Sequence, residues 1–595
     1  MTSTPLSIAI FQAIRETLIS GKEIPETLDA HDLGVVFQPS LSQLRITLLE
    51  AGQPRLRSGG RRATFPATLQ AVCKRLRQRP RFSEFDPSDP MRCRILLEIV
   101  VQEREADLAK MAETETFGPH RYEPGITGLK ASLEGKSHYY LPTDAVFLGH
   151  RNLKSTLRSI ARALKLTGET LAEHPIDFHL VESRAFVTYE QNVLFLYRGL
   201  PPPPPLNRET LERLLDASGR WMRDHMREDG RFLYYYNLAN DSEKDHFHPK
   251  NPSYYNIVRH SGGVFGLLRF YEWCEDPSYL EAAKNALIFV EEQCRSHDTP
   301  WGEGRYVFYN RKGKLGGTGL ALTALALYRK LSKDTRFDEL MTGMARHIIS
   351  RILPDGEMIG FFIHPRFHGG GPIENPTRKE QAKLFSFYYP GEALLGLAFF
   401  VQEGFADPEL AATIREKARL TLDFIIKIRP KRYPELYSSL PSDAWLMQAI
   451  EAWHDDPEMR NKAWNRFVYS DAQKMIDHMY QPGETPYPDY AGTFRTHFGA
   501  IGNHQGNRGE GLVAAYHLAK KTGERRQANK FHKALMLLAS SLPQTSVTPE
   551  SCYPYPNPEK CIGSIRFKSN QKWVQVDSAQ HTACFYARLL PLLKK

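Results

Sequence analysis

Six segments in the second half of the chain repeat one pattern of small and apolar residues. Each opens on a polar or glycine-containing start and then carries Gly, Ala and Leu on most faces, which predicts a helix buried nearly all round. The segments begin at His260, Gly316, Tyr389, Ser442, Arg508 and Val576. A more polar stretch with one apolar stripe follows each of the first five, over 278–294, 336–352, 408–427, 461–480 and 524–542. This alternation predicts inner helices that pair with outer ones.

The number and order of these helices predict a closed ring. A sixth polar stretch, 208–226, precedes the first inner helix and can pair with the last one. Successive inner helices start about 50–75 residues apart, which is enough for one helical hairpin and a loop. A closed toroid of six hairpins leaves no end helix uncapped, whereas an open α-solenoid of the HEAT or TPR kind does. The irregular period and the very apolar inner helices favour the toroid.

The first 200 residues follow a different pattern, in which β-rich runs alternate with a few helical stretches. This mixture predicts an α+β domain. The β-rich runs lie at Leu44–Leu49, 95–101, 145–148 and 186–189. Five consecutive prolines at 201–205 then form a run that is typical of a stiff polyproline II spacer. We therefore expect an α+β domain over 1–198, a proline-rich linker over 199–207 and an all-α domain over 208–595.

Composition places the chain among ordinary globular proteins. Of its 595 residues, 41% are hydrophobic and 25% are charged, and 78 Lys and Arg against 68 Asp and Glu give a formal charge of +10. This excess is mild for the length of the chain and favours anionic partners. Fibrous, collagen-like and wholly disordered classes are excluded by these values.

Cysteine usage and the length of the apolar runs indicate a cytoplasmic protein. The seven cysteines are scattered, with no CxxC pair, which suits free thiols in a reducing compartment. Cys552 and Cys561 are close in sequence, so a disulfide between these two residues is left as an alternative. The N-terminus lacks the features of a signal peptide. Because no run approaches about 18 uninterrupted apolar residues, we expect no membrane partner.

The glycine-rich starts of the inner helices, such as GGTGLAL at 316–322 and YPGEALLGL at 389–397, resemble those of (α/α)6 six-hairpin glycosidases. The same toroid occurs in polysaccharide lyases and uronyl C5-epimerases. The resemblance covers about residues 208–595 and implies a toroid with a carbohydrate site in its bowl. It leaves the reaction open, because one scaffold hosts many chemistries. The GGTG motif lacks the GK[ST] of a phosphate loop and indicates close helix packing.

Three stretches of the first half resemble the AMMECR1 family. They are TLLEAGQPRLRSGG at 47–60, RPRFSEF at 79–85 and EPGITGLKASLEGKSHYYLPTDA at 123–145. The first stands where that family has a strand, a turn and an LRGCIG-type motif, of which Leu56, Arg57 and Gly59 remain. Ser58 stands in place of the cysteine, so the resemblance implies a fold and no thiol chemistry.

Polar residues concentrate in the loops that lead into the inner helices, and we expect them to line a cavity. Glycoside hydrolysis needs two carboxyl groups that flank the scissile bond. The carboxyl candidates are Glu392, Asp443, Glu510 and Asp577, with Asp489 in reserve. Asp443 and Asp577 also suit helix N-caps, so capping is the alternative role for each of them. Hydrolysis of a glycan or sugar conjugate by such a pair is the leading expectation.

Elimination or C5-epimerisation of a uronate is the second expectation, because the net charge and the many His, Tyr and Arg residues suit an anionic sugar. This chemistry removes a proton next to a carboxylate, and it needs a Tyr or His base and an Arg or amide that neutralises the acid group. The histidine candidates for catalysis are His260 and His581. The candidate substrate-binding residues are Tyr255, Arg259, Tyr389, Asp489, Tyr490, His504, Arg508 and Gln580.

A toroid that only binds a glycan or a protein partner is the remaining alternative. No cofactor is expected, and no metal, because the short histidine groups at 245–248 and 364–368 have no third ligand at a suitable spacing. The stretch 55–81 carries nine basic residues and no acid. Since no nucleic-acid-binding motif accompanies it, nucleic acid is not the expected partner. The sequence leaves the oligomeric state open.

Overall fold

The first half of the chain combines helices with one large sheet. The computed structural model describes residues 5–111, 117–118, 120–150, 152–166, 174–437, 443–495, 502 and 504–593. In the first half the helices are α1 (Pro5–Ser20), α2 (Phe65–Arg77), α3 (Leu108–Met111), α4 (Pro142–Leu148) and α5 (Leu153–Ala163). The strands are β1 (Leu44–Leu49), β2 (Leu56–Gly60), β3 (Arg94–Glu105), β4 (Thr127–Leu133), β5 (Lys136–Tyr140), β6 (Asp177–Tyr189) and β7 (Asn192–Leu196).

These strands form an antiparallel sheet in the order β2-β1-β3-β6-β4-β5, and β7 pairs with the second half of β6. Strand β1 lies inside the sheet and is buried along its whole length. Helices α1 and α2 cover one face, where Ile14 and Leu69 join the apolar cluster of Ile46 and Leu97. A sheet covered in this way matches the α+β interpretation of the sequence.

The stretch 145–148, which the sequence predicts as a strand, lies in helix α4, and that prediction is wrong. Pro142 occupies the first turn, where a missing N–H leaves no bond unmade. The backbone N–H of Leu141 donates to the Asp144 carboxylate, and Gly149 ends the helix with a φ of 63°. Seven residues are too few for a helical period to show in the sequence.

The second half is built from paired helices. They are α6 (Arg208–Asp224), α7 (Ile257–Cys274), α8 (Pro277–Glu292), α9 (Leu315–Ser332), α10 (Asp338–Ser350), α11 (Arg378–Lys383), α12 (Tyr389–Gln402), α13 (Pro408–Asp423), α14 (Arg429–Arg432), α15 (Ala444–Trp453), α16 (Lys462–Asp477), α17 (Gly506–Lys521), α18 (Arg525–Ser541), α19 (Pro558–Cys561) and α20 (Val576–Leu589). The predicted start of the fourth inner helix, Ser442, lies outside the described residues.

The inner helices close into a ring. Each packs against the next in the order α7-α9-α12-α15-α17-α20, and α20 packs back against α7. The outer helix α6 lies against α20 and α7, so the first polar stretch pairs with the last inner helix as predicted. An open array has no contact between its end helices. The closed toroid is therefore confirmed.

Glycine lets two inner helices approach closely. A Cβ at Gly319 of α9 would lie 2.6 Å from the Cα of Ala393 in α12, and one at Gly396 would lie 2.6 Å from the carbonyl oxygen of Gly319. Both contacts involve backbone atoms, which cannot move aside unless a whole helix shifts in the packed interior. The GGTG motif therefore packs helices, as the sequence predicts.

The second half also contains strands, so the all-α prediction is wrong in this respect. They are β8 (Tyr235–Asn237), β9 (Cys294–Thr299), β10 (Gly302–Tyr309), β11 (Lys312–Lys314), β12 (Phe361–Ile363) and β13 (Trp573–Gln575). Strands β12-β11-β10-β9 form a sheet that packs on α10, and β8 pairs with β13. Several of these strands have three residues, which is too short for an alternating pattern to be recognised.

The two halves of the chain share a buried interface. Tyr553 of the second half donates a 2.5 Å hydrogen bond to the carbonyl oxygen of Gly199 and packs with Leu49, Phe147 and Leu196 of the first half. The proline run lines a cavity of about 630 Å³ between the halves. The run therefore lies within an interface and does not hold the halves apart. The boundaries 1–198, 199–207 and 208–595 stay a prediction.

The structure bears on cysteine pairing and on membrane-spanning helices. All seven cysteines are free thiols, including Cys552 and Cys561, whose pairing the sequence left open. Across the described ranges, no helix has both the length and the apolar composition needed to cross a membrane.

Candidate active site

A cavity of about 380 Å³ opens at the end of the toroid where the inner helices begin. The first two turns of α7, α9, α12, α15, α17 and α20 and the segments before these helices supply its walls. Of the residues singled out in the sequence, the structure brings together Arg259, Tyr389, Glu392, His504, Arg508, Asp577, Gln580 and His581. Their side chains converge because every inner helix starts at the same end of the ring.

Glu392 is a buried carboxyl group in the wall of the cavity. Burial, and then the nearby Asp443 carboxyl, raise the pKa of Glu392 to about 8. Its Oε2 has no hydrogen-bond partner among the described residues. Glu392 is therefore protonated near neutral pH and can donate a proton or a hydrogen bond.

Asp443 caps helix α15 and lies behind the cavity wall. Its Oδ1 accepts a 3.0 Å hydrogen bond from the backbone N–H of Leu446. Burial raises the pKa of Asp443 to about 7, although the Arg429 guanidinium acts in the opposite direction. Asp443 thus has the helix-capping role that the sequence offered as its alternative. Ala444 and Trp445, which follow it in the chain, line the cavity.

Asp577 forms an ion pair across the cavity wall. The Arg259 Nε lies 2.8 Å from the Asp577 Oδ2, and an Arg259 Nη1 donates a 2.7 Å hydrogen bond to the Tyr234 hydroxyl. The second oxygen of Asp577 has no partner in the described part of the chain. The ion pair balances the charge of Arg259. The Oδ1 of Asp577 is left without a bond to the described residues and is available to a ligand.

His581 is bound to a carboxylate underneath the cavity floor. Its Nδ1 lies 2.5 Å from the Oε2 of Glu510, which is fully buried and does not itself line the cavity. Burial by itself lowers the pKa of His581, but the charge of Glu510 and its hydrogen bond act the other way and raise the pKa above the usual value. His581 therefore keeps its proton to a higher pH than an ordinary histidine and can serve as an acid.

His504 is the second imidazole in the cavity, and its surroundings shift its pKa in the direction opposite to that of His581. Burial lowers the pKa of His504 to about 4. Neither ring nitrogen has a hydrogen-bond partner in the residues that the structure describes. His504 is therefore neutral near pH 7 and has a nitrogen lone pair available to accept a proton.

Arg508 brings a guanidinium to the cavity, and no carboxylate of the described ranges forms an ion pair with it. The guanidinium lies 4.6 Å from the ring centre of Phe494, and its Nη1 has no partner among the described residues. Burial lowers the pKa of Arg508 to about 10. Arg508 remains charged near neutral pH.

Tyr255 and His260 lie in the core of the toroid and outside the cavity, so their predicted place in its wall is wrong. The backbone N–H of Phe232 donates to the Tyr255 hydroxyl, which in turn donates to the His260 Nδ1 at 2.7 Å. The His260 Nε2 then donates to the carbonyl oxygen of Ala286. Burial lowers the pKa of His260 to about 4, and both ring nitrogens are occupied by structural bonds.

Asp489 and Tyr490 also lie away from the cavity, so their predicted place in a substrate-binding site is wrong. Both residues instead form contacts between the two halves of the chain. Asp489 pairs with Arg198 of the first half, with 2.5 Å between Oδ2 and Nε. The Tyr490 hydroxyl donates to the Glu123 carboxylate at 3.0 Å. Their partners come from a distant part of the sequence, which loop position alone does not indicate.

Other cavity residues are not among the named catalytic and substrate-binding candidates, although Asn256, Tyr388 and Arg566 belong to the polar loops that the sequence predicts to line the cavity. The aromatic ones are Tyr388, Trp445 and Phe567, the amides are Asn256, Gln505 and Asn507, and Arg566 is a further cation. All but Arg566 and Phe567 lie in or beside the first turn of an inner helix. That position is the feature of the sequence that would also have identified Trp445, Gln505 and Asn507.

Comparison with known proteins gives distant structural likenesses. No family model and no curated protein matches the chain. A cellobiose 2-epimerase from Bacillus thermoamylovorans B4167 is 12% identical, with 65% of this chain and 99% of that chain covered and a TM-score of 0.46. The α-1,6-mannanase GH76A of Salegentibacter sp. HEL1_6 is 13% identical, with 65% and 99% covered and a TM-score of 0.41.

A further likeness covers about a third of the chain. An uncharacterised protein from Pyrococcus horikoshii is 16% identical, with 32% of this chain and 94% of that chain covered and a TM-score of 0.26. At these identities and TM-scores, none of the likenesses assigns a reaction or a substrate to this chain. The AMMECR1 resemblance of the first half stays a prediction.

Proposed function

We propose that this chain is a carbohydrate-active enzyme that moves a proton at a carbon next to a carbonyl or carboxyl group of a sugar, as isomerases and epimerases do. The observation that carries the proposal is the pair of imidazoles in one cavity, His504 and His581. Their surroundings shift the two pKa values in opposite directions. Two titratable groups whose pKa values are pushed apart are suited to act as base and acid.

The two histidines have distinct roles in this mechanism. His504 is neutral and takes the proton from the carbon next to the carbonyl group, and the electron pair of the broken C–H bond moves onto the carbonyl oxygen. His581, whose pKa the Glu510 carboxylate raises, gives a proton to that oxygen, which forms an enediol, or to the opposite face of the carbon. From the enediol, return of a proton to the former carbonyl carbon, with loss of the hydroxyl proton on the neighbouring carbon, gives an isomer. Delivery of a proton to the opposite face of the first carbon, as the original carbonyl group forms again, gives an epimer.

The walls of the cavity suit a sugar. Tyr388, Tyr389 and Trp445 offer aromatic surface, which packs against the C–H faces of a pyranose ring. Amide side chains such as Gln580 both donate and accept hydrogen bonds, as sugar hydroxyls require. The volume of about 380 Å³ lies at the lower end of the range for small-molecule sites. A monosaccharide or disaccharide unit is therefore the expected occupant.

The proposal is tested by incubating the purified full chain in D2O with a panel of neutral and acidic sugars. Proton NMR is expected to show loss of one C–H signal next to the carbonyl or carboxyl group, with no new reducing ends. Formation of a second isomer or epimer identifies the product. If every sugar keeps its C–H signals while the protein is folded, the proposed reaction is wrong, and binding without turnover would then favour a non-catalytic toroid.

Glycoside hydrolysis remains a second candidate because of the two carboxyl groups in the cavity. Glu392, with its raised pKa, is suited to act as the acid, and the free oxygen of Asp577 is suited to act as the base or nucleophile. Asp443 and Glu510, the other carboxyl candidates, lie behind the wall and support neighbouring residues. New reducing ends from an oligosaccharide, lost in Glu392→Gln, would favour this reaction over proton transfer.

A further inference from the structure

We propose that the cavity selects a sugar that carries an anionic group, a carboxylate or a phosphate, and that Arg508 binds this group. The inference takes the sugar cavity of the proposed function as its site and adds the class of substrate. A planar guanidinium binds a carboxylate or phosphate through two parallel hydrogen bonds. Arg508 is the cavity residue best placed to do so.

The first observation is that Arg508 has no counter-ion in the part of the chain that the structure describes. No carboxylate of the described residues lies within ion-pair distance of it, and its Nη1 is buried without a hydrogen-bond partner. A charge that is removed from water without a partner is costly. An anion that enters with the substrate would supply the missing partner.

The second observation is the charge balance of the whole cavity. Arg259 is balanced by Asp577, and His581 is balanced by Glu510. Arg566, which also reaches the cavity, binds the carbonyl oxygens of Thr545 and Gln544 and the Tyr555 hydroxyl, all of which are neutral. Glu392 is protonated near neutral pH. The wall therefore holds an excess of positive charge that its own carboxylates do not cancel.

The third observation is the position of Arg508 relative to the proposed base. Arg508 lies in the first turn of α17, and His504 lies two residues before the start of that helix. The positive end of the helix dipole adds to the attraction for an anion at this point. An anionic group held here brings the carbon beside it towards His504, and neutralisation of a carboxylate makes the proton on that carbon easier to remove.

Binding of three probes to the full chain tests the inference: D-glucose, D-glucuronate and D-glucose 6-phosphate, each titrated by calorimetry. At least one anionic sugar is expected to bind about 10- to 100-fold more tightly than glucose, which corresponds to one charged hydrogen-bonding contact. Glucuronate and glucose 6-phosphate distinguish a carboxylate from a phosphate. Arg508→Met is expected to remove the preference, and Arg508→Lys to keep part of it.

The control is Arg526→Met, a change at an exposed arginine of α18 that should keep the preference. Equal affinity for all three sugars, no binding of either anionic sugar at millimolar concentration, or an unchanged preference in a folded Arg508→Met variant would each overturn the inference. Thermal melting establishes that the variants are folded. Binding does not require turnover, so a preference for anions without deuterium exchange would refute the proposed reaction and keep this inference.

Discussion

The Arg198 guanidinium and the Asp489 carboxylate form a two-point ion pair between the two halves of the chain. The distances are 2.5 Å from Nε to Oδ2 and 3.0 Å from Nη2 to Oδ1. Arg198 also donates a 2.6 Å hydrogen bond to Glu123, and Tyr490 donates to the same carboxylate. A Cβ placed on Gly502, two residues before His504, would lie 3.4 Å from the Tyr490 ring. The ion pair therefore fixes Asp489 and Tyr490 of the second half against the first half.

Replacement of Arg198 by methionine is expected to destabilise the whole chain. The change leaves Asp489 without its cation and Glu123 with one partner fewer, and loss of one member of a buried ion pair costs about 3–5 kcal/mol. Urea unfolding measures the loss. Arg220→Met, which removes an exposed ion pair with Asp216, should cost less than about 1 kcal/mol. Equal midpoints for the two variants would show that the interface pair does not stabilise the chain.

Two glycines of helix α9 are expected to respond differently to alanine. A Cβ at Gly319 would meet backbone atoms of Ala393 at 2.6 Å, whereas the nearest atom to a Cβ at Gly317 is 3.5 Å away. Gly319→Ala should therefore cost about 1–3 kcal/mol by overpacking. Gly317→Ala should be neutral or stabilising by up to about 1 kcal/mol, because alanine favours the helix. Thermal melting checks both, and similar melting temperatures would contradict this packing.

The ring of inner helices could be predicted because burial on all sides leaves a pattern that no other helix shows. The cavity residues at the first turns of those helices followed from the same pattern, as with Glu392 and Asp577. The places of Tyr255 and Asp489 could not be predicted. A polar side chain before a helix looks the same in sequence whether it faces a cavity, a core hydrogen bond or a neighbouring domain. Only long-range contacts with Phe232 or Arg198 distinguish these cases.

Tyr255→Phe tests the assignment of Tyr255 and His260 to the core. The variant leaves the Phe232 N–H and the His260 Nδ1 without a partner. Unfolding should become easier by about 1–3 kcal/mol, while kcat and KM of the folded protein stay unchanged. A fall in kcat at unchanged stability would contradict this assignment and indicate that Tyr255 takes part in the reaction.

Glu510→Gln is expected to change the pH dependence of both stability and rate. The folded-state pKa of His581 lies above its unfolded value, so its contribution to stability is complete below the usual histidine pKa of about 6.5. That contribution is lost as the pH rises through the folded-state pKa. The stability gap between wild type and variant should therefore narrow as the pH rises.

The same substitution should move the rate profile. Without the Glu510 charge, His581 loses its proton at lower pH. The decline of the rate on the alkaline side of the pH profile should therefore begin at a lower pH in the variant. Rates measured across the pH range with a sugar that exchanges deuterium check this expectation. An alkaline limb at the same pH in both proteins would mean that His581 is not the acid.

Deuterium exchange into a sugar by variants of the two cavity histidines tests the central claim most directly. His504→Gln and His581→Gln should each slow exchange by about 100- to 10,000-fold, the usual contribution of a positioned acid or base. The control His31→Gln, at an exposed position of the first half, should exchange at the wild-type rate. Exchange at the wild-type rate in a folded His504→Gln or His581→Gln variant would contradict the proposed acid–base pair.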